Sequence, residues 1–305
     1  MNFQTLSDYM ILPRDIVSVK KMNNIYELCY VEHRNTEAKI KKLNNDSYLV
    51  LSTGEVKQCN HIENRSESKM QVAQSLKRLR DYINTNVIEP DNCKWITLTY
   101  KENMTDTKRL YIDFKNFIKR FKYYYGKFEY IACMEPQGRG AWHCHLIAIF
   151  DKKAPYIPNK DLQNIWSFGF TKTKKLNNVD NIGAYITAYL GDIEYNDKNI
   201  EEISKLSKNN IKLDIKEVSD IEGVKLKTPK KFIKGGRLYL YPPHFNLYRI
   251  SKGIKKPEKH YHTYNFIKEK AELLNPTYSK AISLSSTDNN FSNKIIYEYY
   301  NTKRK

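Results

Sequence analysis

Two apolar runs, 128–134 and 142–150, flank the breaker-rich segment Pro136-Gln137-Gly138-Arg139-Gly140. Runs of this length read as strands, and the glycines and proline between them supply a chain reversal, so the pair predicts an antiparallel hairpin with a long loop. The second run carries His143 and His145 two residues apart. Alternate side chains of a strand share a face, so both imidazoles project together while Cys144 and Leu146 project the other way. The stretch Leu146-Ile147-Ala148-Ile149-Phe150 anchors that strand in a core and holds the imidazole pair rigid.

The neighbouring periodicity extends the hairpin into a sheet. Trp95-Ile96-Thr97-Leu98-Thr99-Tyr100 is a β-rich run, and Leu110, Ile112, Phe114, Phe117, Ile118 and Phe121 recur at helical spacing over 107–124. A helix over 159–167, a strand over 170–176 and a helix over 180–191 follow. The order βαββαβ predicts an α+β class with a ferredoxin-like, RRM-like antiparallel sheet.

Additions flank this core. Tyr48-Leu49-Val50-Leu51 runs into Ser52-Thr53-Gly54, part of a hairpin over 41–58, and 65–86 has helical spacing of Met70, Val72, Ala73, Leu76, Leu79 and Ile83. Residues 195–222 are rich in Asn, Lys and Glu and read as helix or mobile linker. From Gly223 to Pro257 there are ten Lys or Arg and no acidic residue, interleaved with Phe232, Tyr239, Tyr241, Phe245 and Tyr248. That mixture suits phosphate contacts and base stacking, and equally a basic hairpin that packs its tyrosines. The tail reads as mobile beyond Pro276. Three spans result: an N-terminal hairpin and helix arm (1–92), a catalytic core (93–194), and a charged linker with a basic C-terminal region (195–305).

The chain has 305 residues and a net charge of +18, which favours a polyanionic partner, nucleic acid first, because bound phosphates release their counterions. Five cysteines without a C-x-x-C pair argue against a disulfide framework or a cysteine zinc site. No run approaches the roughly 20 apolar residues of a membrane helix, and the start lacks a signal pattern, so the reading is a soluble cytoplasmic protein with no membrane partner.

Glu135 stands eight residues before His143, at the end of the partner strand, where its carboxylate would complete a three-ligand set with His143 and His145. Coordination positions left open would receive a phosphate oxygen and water. A second H-x-H, His260-Tyr261-His262, has no comparable apolar strand and reads as surface. Tyr185 and Tyr189, in Ile182-Gly183-Ala184-Tyr185-Ile186-Thr187-Ala188-Tyr189-Leu190, are i and i+4, so a helix puts both hydroxyls on one face.

Taken in order, Ile96-Thr97-Leu98-Thr99-Tyr100, Glu135 through His145, and Tyr185-Ile186-Thr187-Ala188-Tyr189 resemble the three motifs of HUH endonucleases, and more narrowly those of the rolling-circle initiators of bacterial plasmids and small phages. The resemblance covers about residues 93–192, and the stretch from Lys234-Gly235-Gly236-Arg237-Leu238 to Ser251-Lys252-Gly253-Ile254 has the look of the same proteins. It implies that His143, His145 and Glu135 bind Mg²⁺ or Mn²⁺, with Gln137 the rival third ligand, and that Tyr185 or Tyr189 is the nucleophile. Many relatives carry lysine three residues after a catalytic tyrosine, where this chain has Ala188 and Asp192. Neutralising charge would then come from Lys172, Lys174, Lys175 or Arg139, with Lys234 and Arg237 as further DNA contacts.

The implied activity is nicking and rejoining of single-stranded or hairpin origin DNA through a 5′-phosphotyrosyl intermediate. A metal-independent RRM-like nucleic-acid binder, or an HUH relaxase or single-strand transposase, shares much of this pattern. No P-loop occurs, so unwinding falls to a host helicase and extension to a host polymerase.

Overall fold

Glu129–Pro136 and Trp142–Ile149 pair antiparallel in the computed structural model, with Glu135 opposite His143 and Cys133 opposite His145. The structure describes residues 2–34, 37–176, 183, 190–208, 214–221, 224–286 and 291–304. They form two compact units, one of Met1–Ile62 with Pro257–Lys305 and one of Glu63–Lys256.

The first unit opens with β1 (Asn2–Leu6), β2 (Ile16–Met22) and β3 (Ile25–Val31). Three short strands follow, β4 (Ile40–Lys42), β5 (Ser47–Val50) and β6 (Val56–Gln58), which make a small sheet of their own.

In the second unit, a 3-10 turn at Arg65–Ser68, closed by a capping box between Asn64 and Glu67, leads into α1 (Lys69–Asn86). Then come β7 (Cys93–Thr99), α2 (Thr107–Tyr125), β8 (Glu129–Pro136), β9 (Trp142–Ile149), α3 (Asn159–Trp166) and β10 (Thr171–Lys175). The strand order β10-β7-β9-β8 is that of a split βαβ sheet, and β14 (Tyr248–Ile250) adds a fifth strand beside β8. Between them lie β11 (Ile193–Glu194), α4 (Ile200–Lys208), β12 (Ile215–Ile221) and β13 (Val224–Ile233), whose strands form a separate three-stranded sheet.

The two faces of the five-stranded sheet differ. On one, Leu110, Phe114, Phe117 and Phe121 of α2 and Leu162, Ile165 and Trp166 of α3 pack against Ile96, Leu98, Met134, Cys144 and Leu146. Asp106 starts α2 by accepting from the Lys108 and Arg109 amides, and Gly126, at φ 80°, ends it. Phe117 and Phe121 are fully buried, and truncating either to alanine would cost about 3–5 kcal/mol. On the other face, Leu79 and Ile83 of α1 pack with Cys93, Ile131, Cys133 and Ile147. Glu135, His143 and Thr99 lie beyond that apolar patch, at the end of the strands.

The first unit is completed by β15 (Glu258–Thr263), α5 (Tyr264–Lys270), β16 (Tyr278–Ser286) and β17 (Phe291–Asn301). Its six-stranded sheet has the order β1-β16-β17-β3-β2-β15. The expectation of a mobile tail beyond Pro276 is therefore corrected: β16 and β17 pair with β1 and β3, and Ile296, Glu298 and Tyr300 are buried at alternate positions. The polar composition hid a period-two strand. The compact units also run differently from the sequence spans 1–92, 93–194 and 195–305, because α1 packs on the five-stranded sheet, β14 joins it, and β15–β17 pair with the N-terminal strands. Residues 195–222 contain α4 and β12 rather than a linker. His260 and His262 sit on the edge strand β15, with His260 exposed and paired with Glu258.

Candidate active site

Strand register builds the site. Glu135, His143 and Thr99 lie side by side on β8, β9 and β7, and Cys133, His145, Thr97 and Lys172 form the next row. Residues directly opposite in an antiparallel pair share a face, so all three predicted ligands point away from α2 and α3. His145 Nε2 is 3.5 Å from Glu135 Oε2, and its Nδ1 is 3.3 Å from Thr97 Oγ1. The His145 ring stacks on Trp95 at 5.4 Å between centroids. His143 and His145 have ring centres 6.0 Å apart.

Glu135 Oε1 accepts from the Gly191 amide at 3.1 Å and faces Arg237 Nη1 at 3.6 Å. Burial would raise its carboxyl, but the hydrogen bond and charge of His145, the Arg237 guanidinium and the Gly191 N–H together hold it below the usual carboxylate value. The His143 imidazole is pushed down to about 4, first by burial and then by the positive charge of His145, with Arg139 and Arg237 adding to it against Glu135. At neutral pH the site thus holds a carboxylate and, at His143, an unprotonated ring. His143 Nε2 is buried and has no hydrogen-bond partner among the described residues.

That orphaned nitrogen beside a carboxylate and a second imidazole is the donor set a divalent ion takes, two nitrogens and one oxygen on a single face. Among the described residues no three His, Cys, Asp or Glu side chains are gathered into a ready cage. Here Glu135 and His145 hold each other instead.

Glu135 and His143 line a cavity of about 470 Å³, with Gln137, Gly138 and Arg139 from the hairpin loop, Asn199, Glu201 and Glu202 from the segment leading into α4, and Arg237. Gln137, the rival ligand, accepts from Arg139 Nε at 3.1 Å. Arg139 also donates to the Tyr100 and Lys101 carbonyls, at 2.8 and 3.4 Å, which ties the loop to the end of β7. Lys172 and Lys174 alternate along β10 on the histidine face; Lys175, opposite Lys94, belongs to the other face. Lys234 lies apart, exposed and 3.5 Å from Asp214. Arg237 sits at the site itself, bidentate on Glu202 at 2.7 and 3.1 Å.

Tyr185 and Tyr189 lie outside the described residues. The described residues around them bear on the site: Gly183 donates to Asn84 of α1 at 2.8 Å, and Gly191 donates to Glu135. Asp192, which stands where a lysine was expected, is buried and engaged by Lys216 and the Gly235 amide.

Sequence reasoning missed Thr97, Trp95 and Glu202. The first two follow from the β7–β9 register, which the motif order alone does not supply. Glu202 was hidden in the charged stretch, although Ile203 and Leu206 beside it have the spacing of one helix face.

Comparison with curated proteins and with solved structures returned no match. Residues 93–194, about a third of the chain, match the family model of replication-associated proteins of the ORF2 type, a span that runs from β7 to β11 and supports a role in initiating DNA replication.

Proposed function

We propose that this protein is a rolling-circle replication initiator of the HUH endonuclease kind, which cuts and rejoins single-stranded origin DNA through a tyrosine. The observation that carries the reading is the shared face of Glu135, His143 and His145, inside the span similar to replication-associated proteins. Mg²⁺ or Mn²⁺ held by these three side chains would polarise the scissile phosphate.

Tyr185 or Tyr189 supplies the nucleophile. Its phenolic oxygen forms a bond to phosphorus as the bond from phosphorus to the 3′-oxygen breaks. The phenol gives up a proton, and the departing 3′-oxygen takes one up. The products are a 5′-phosphotyrosyl link and a free 3′-OH for a host polymerase, with unwinding by a host helicase. One phosphodiester replaces another, so the step is close to energy-neutral, reverses readily and needs no nucleotide cofactor. Lys172 and Lys174, exposed on the histidine face, neutralise phosphates of the bound strand.

The test is a randomised pool of single-stranded DNA incubated with the protein and Mn²⁺, followed by denaturation and sequencing of protein-linked fragments. The expected result is a covalent adduct with one recurrent 5′ end, lost with chelator and in Tyr185→Phe plus Tyr189→Phe. An adduct that persists in the double variant defeats the mechanism. Binding without cleavage would instead mark a metal-independent nucleic-acid module.

A further inference from the structure

Glu135 is gripped on one oxygen and offered on the other. Its Oε1 takes the Gly191 N–H and faces Arg237, whereas Oε2 faces His145. Arg237 is itself held at two places. Its Nε and Nη2 lie on the two oxygens of Glu202, and its backbone N–H donates to the Gly191 carbonyl at 2.8 Å. Gly191 is thus pinned through both its N–H and its carbonyl, and an unbroken chain of polar contacts runs Glu202, Arg237, Glu135, His145, Thr97.

The local sequence makes room for this chain. Glu202 is 8% exposed, and the hairpin loop presents Gly138 to it; a Cβ at position 138 would run into the Glu202 carboxylate. Glu202 and Arg237 both lie outside the span 93–194 that matches the replication-associated model. The core therefore supplies the donors, while residues 202 and 237 supply what aims them.

We infer that Arg237, fixed by Glu202, is a positioning residue that orients the Glu135 carboxylate toward the two histidines and so sets the affinity of the site for a divalent cation. The inference rests on the metal reading given above. A forked guanidinium is suited to this task because two parallel hydrogen bonds to Glu202 fix its plane, which the single ammonium of lysine does not do. The fork also balances charge. With Glu202 in place the Arg237 charge is matched, and without it an unmatched cation stands beside a cation site.

The experiment is Mn²⁺ titration of the full chain, followed by the electron paramagnetic resonance signal of free Mn²⁺, with adduct formation measured in parallel. Glu202→Gln and Arg237→Lys are each expected to weaken Mn²⁺ binding by about 10–100-fold, the range for residues that orient metal ligands. Gly138→Ala should weaken it in the same direction without deleting a charge, and it serves where a charge variant fails to fold. Wild-type affinity in a folded Glu202→Gln or Gly138→Ala protein overturns the proposal and leaves the nicking reading intact. A wild-type protein that binds no Mn²⁺ overturns both.

Discussion

Thr97 Oγ1 lies 3.3 Å from His145 Nδ1, on the opposite side of the ring from Glu135. A threonine hydroxyl both donates and accepts, so it serves His145 in either state: accepting from Nδ1–H when Nε2 gives its lone pair to an ion, donating to Nδ1 when Nε2–H points at Glu135. Thr97→Val keeps the shape and removes that partner. We expect about tenfold weaker Mn²⁺ binding, read by calorimetry, with little change in thermal stability.

Acid should weaken the fold at this site. The folded pKa of His143, about 4, lies below its ordinary value of 6.5, so the unfolded chain takes up the proton first. Its share of stability is present above about pH 6.5 and is lost as pH falls toward 4. Glu135, also depressed, loses its share as pH falls through its folded value. Urea midpoints should therefore drop between pH 6.5 and 4 in metal-free protein, and His143→Ala should flatten part of that slope.

Phe170, 68% exposed, precedes β10, and its carbonyl accepts from the Thr99 N–H. By alternation it falls on the face of Lys172, in the row of Thr99, His143 and Glu135. An exposed ring beside lysines is a platform for one base, worth about 1–3 kcal/mol. Phe170→Ala should weaken single-stranded DNA binding by about tenfold. Anisotropy with oligonucleotides carrying one abasic position tests this, since the stacked base is the position where the abasic and Phe170→Ala effects cease to add.

In the first unit Tyr300, fully buried, donates to Glu298, which also accepts from Tyr264 at 3.1 Å, and Lys268 donates to Tyr300 at 3.2 Å. Tyr300→Phe strips a donor from a buried carboxylate and should cost about 1–3 kcal/mol. Chemical denaturation followed by tyrosine-sensitive near-ultraviolet circular dichroism measures it.

What was legible in the sequence was local. The hairpin of Glu135 and His143, the helix over 107–124 and the strand of Thr97 are all announced by periodicity within a dozen residues. Arg237 was picked out as a basic residue near DNA, yet its place beside Glu135 depends on contacts about a hundred residues apart, which no local pattern carries. β17 failed for a different reason: Asn, Ser and Lys dominate its start, and the alternation of Ile296, Glu298 and Tyr300 places a glutamate where an apolar residue would have signalled a strand. That glutamate is tolerated because two tyrosine hydroxyls solvate it.

The order in which strands pair has a consequence for synthesis. β1 waits for β16 and β3 waits for β17, partners encoded more than 260 residues downstream, whereas β7 to β14 are complete by residue 250. During translation the unit that carries Glu135, His143 and His145 has all its strands before the other has its sheet. A ribosome stalled late in the message would then release a chain with its histidine face assembled and its first three strands still looking for neighbours.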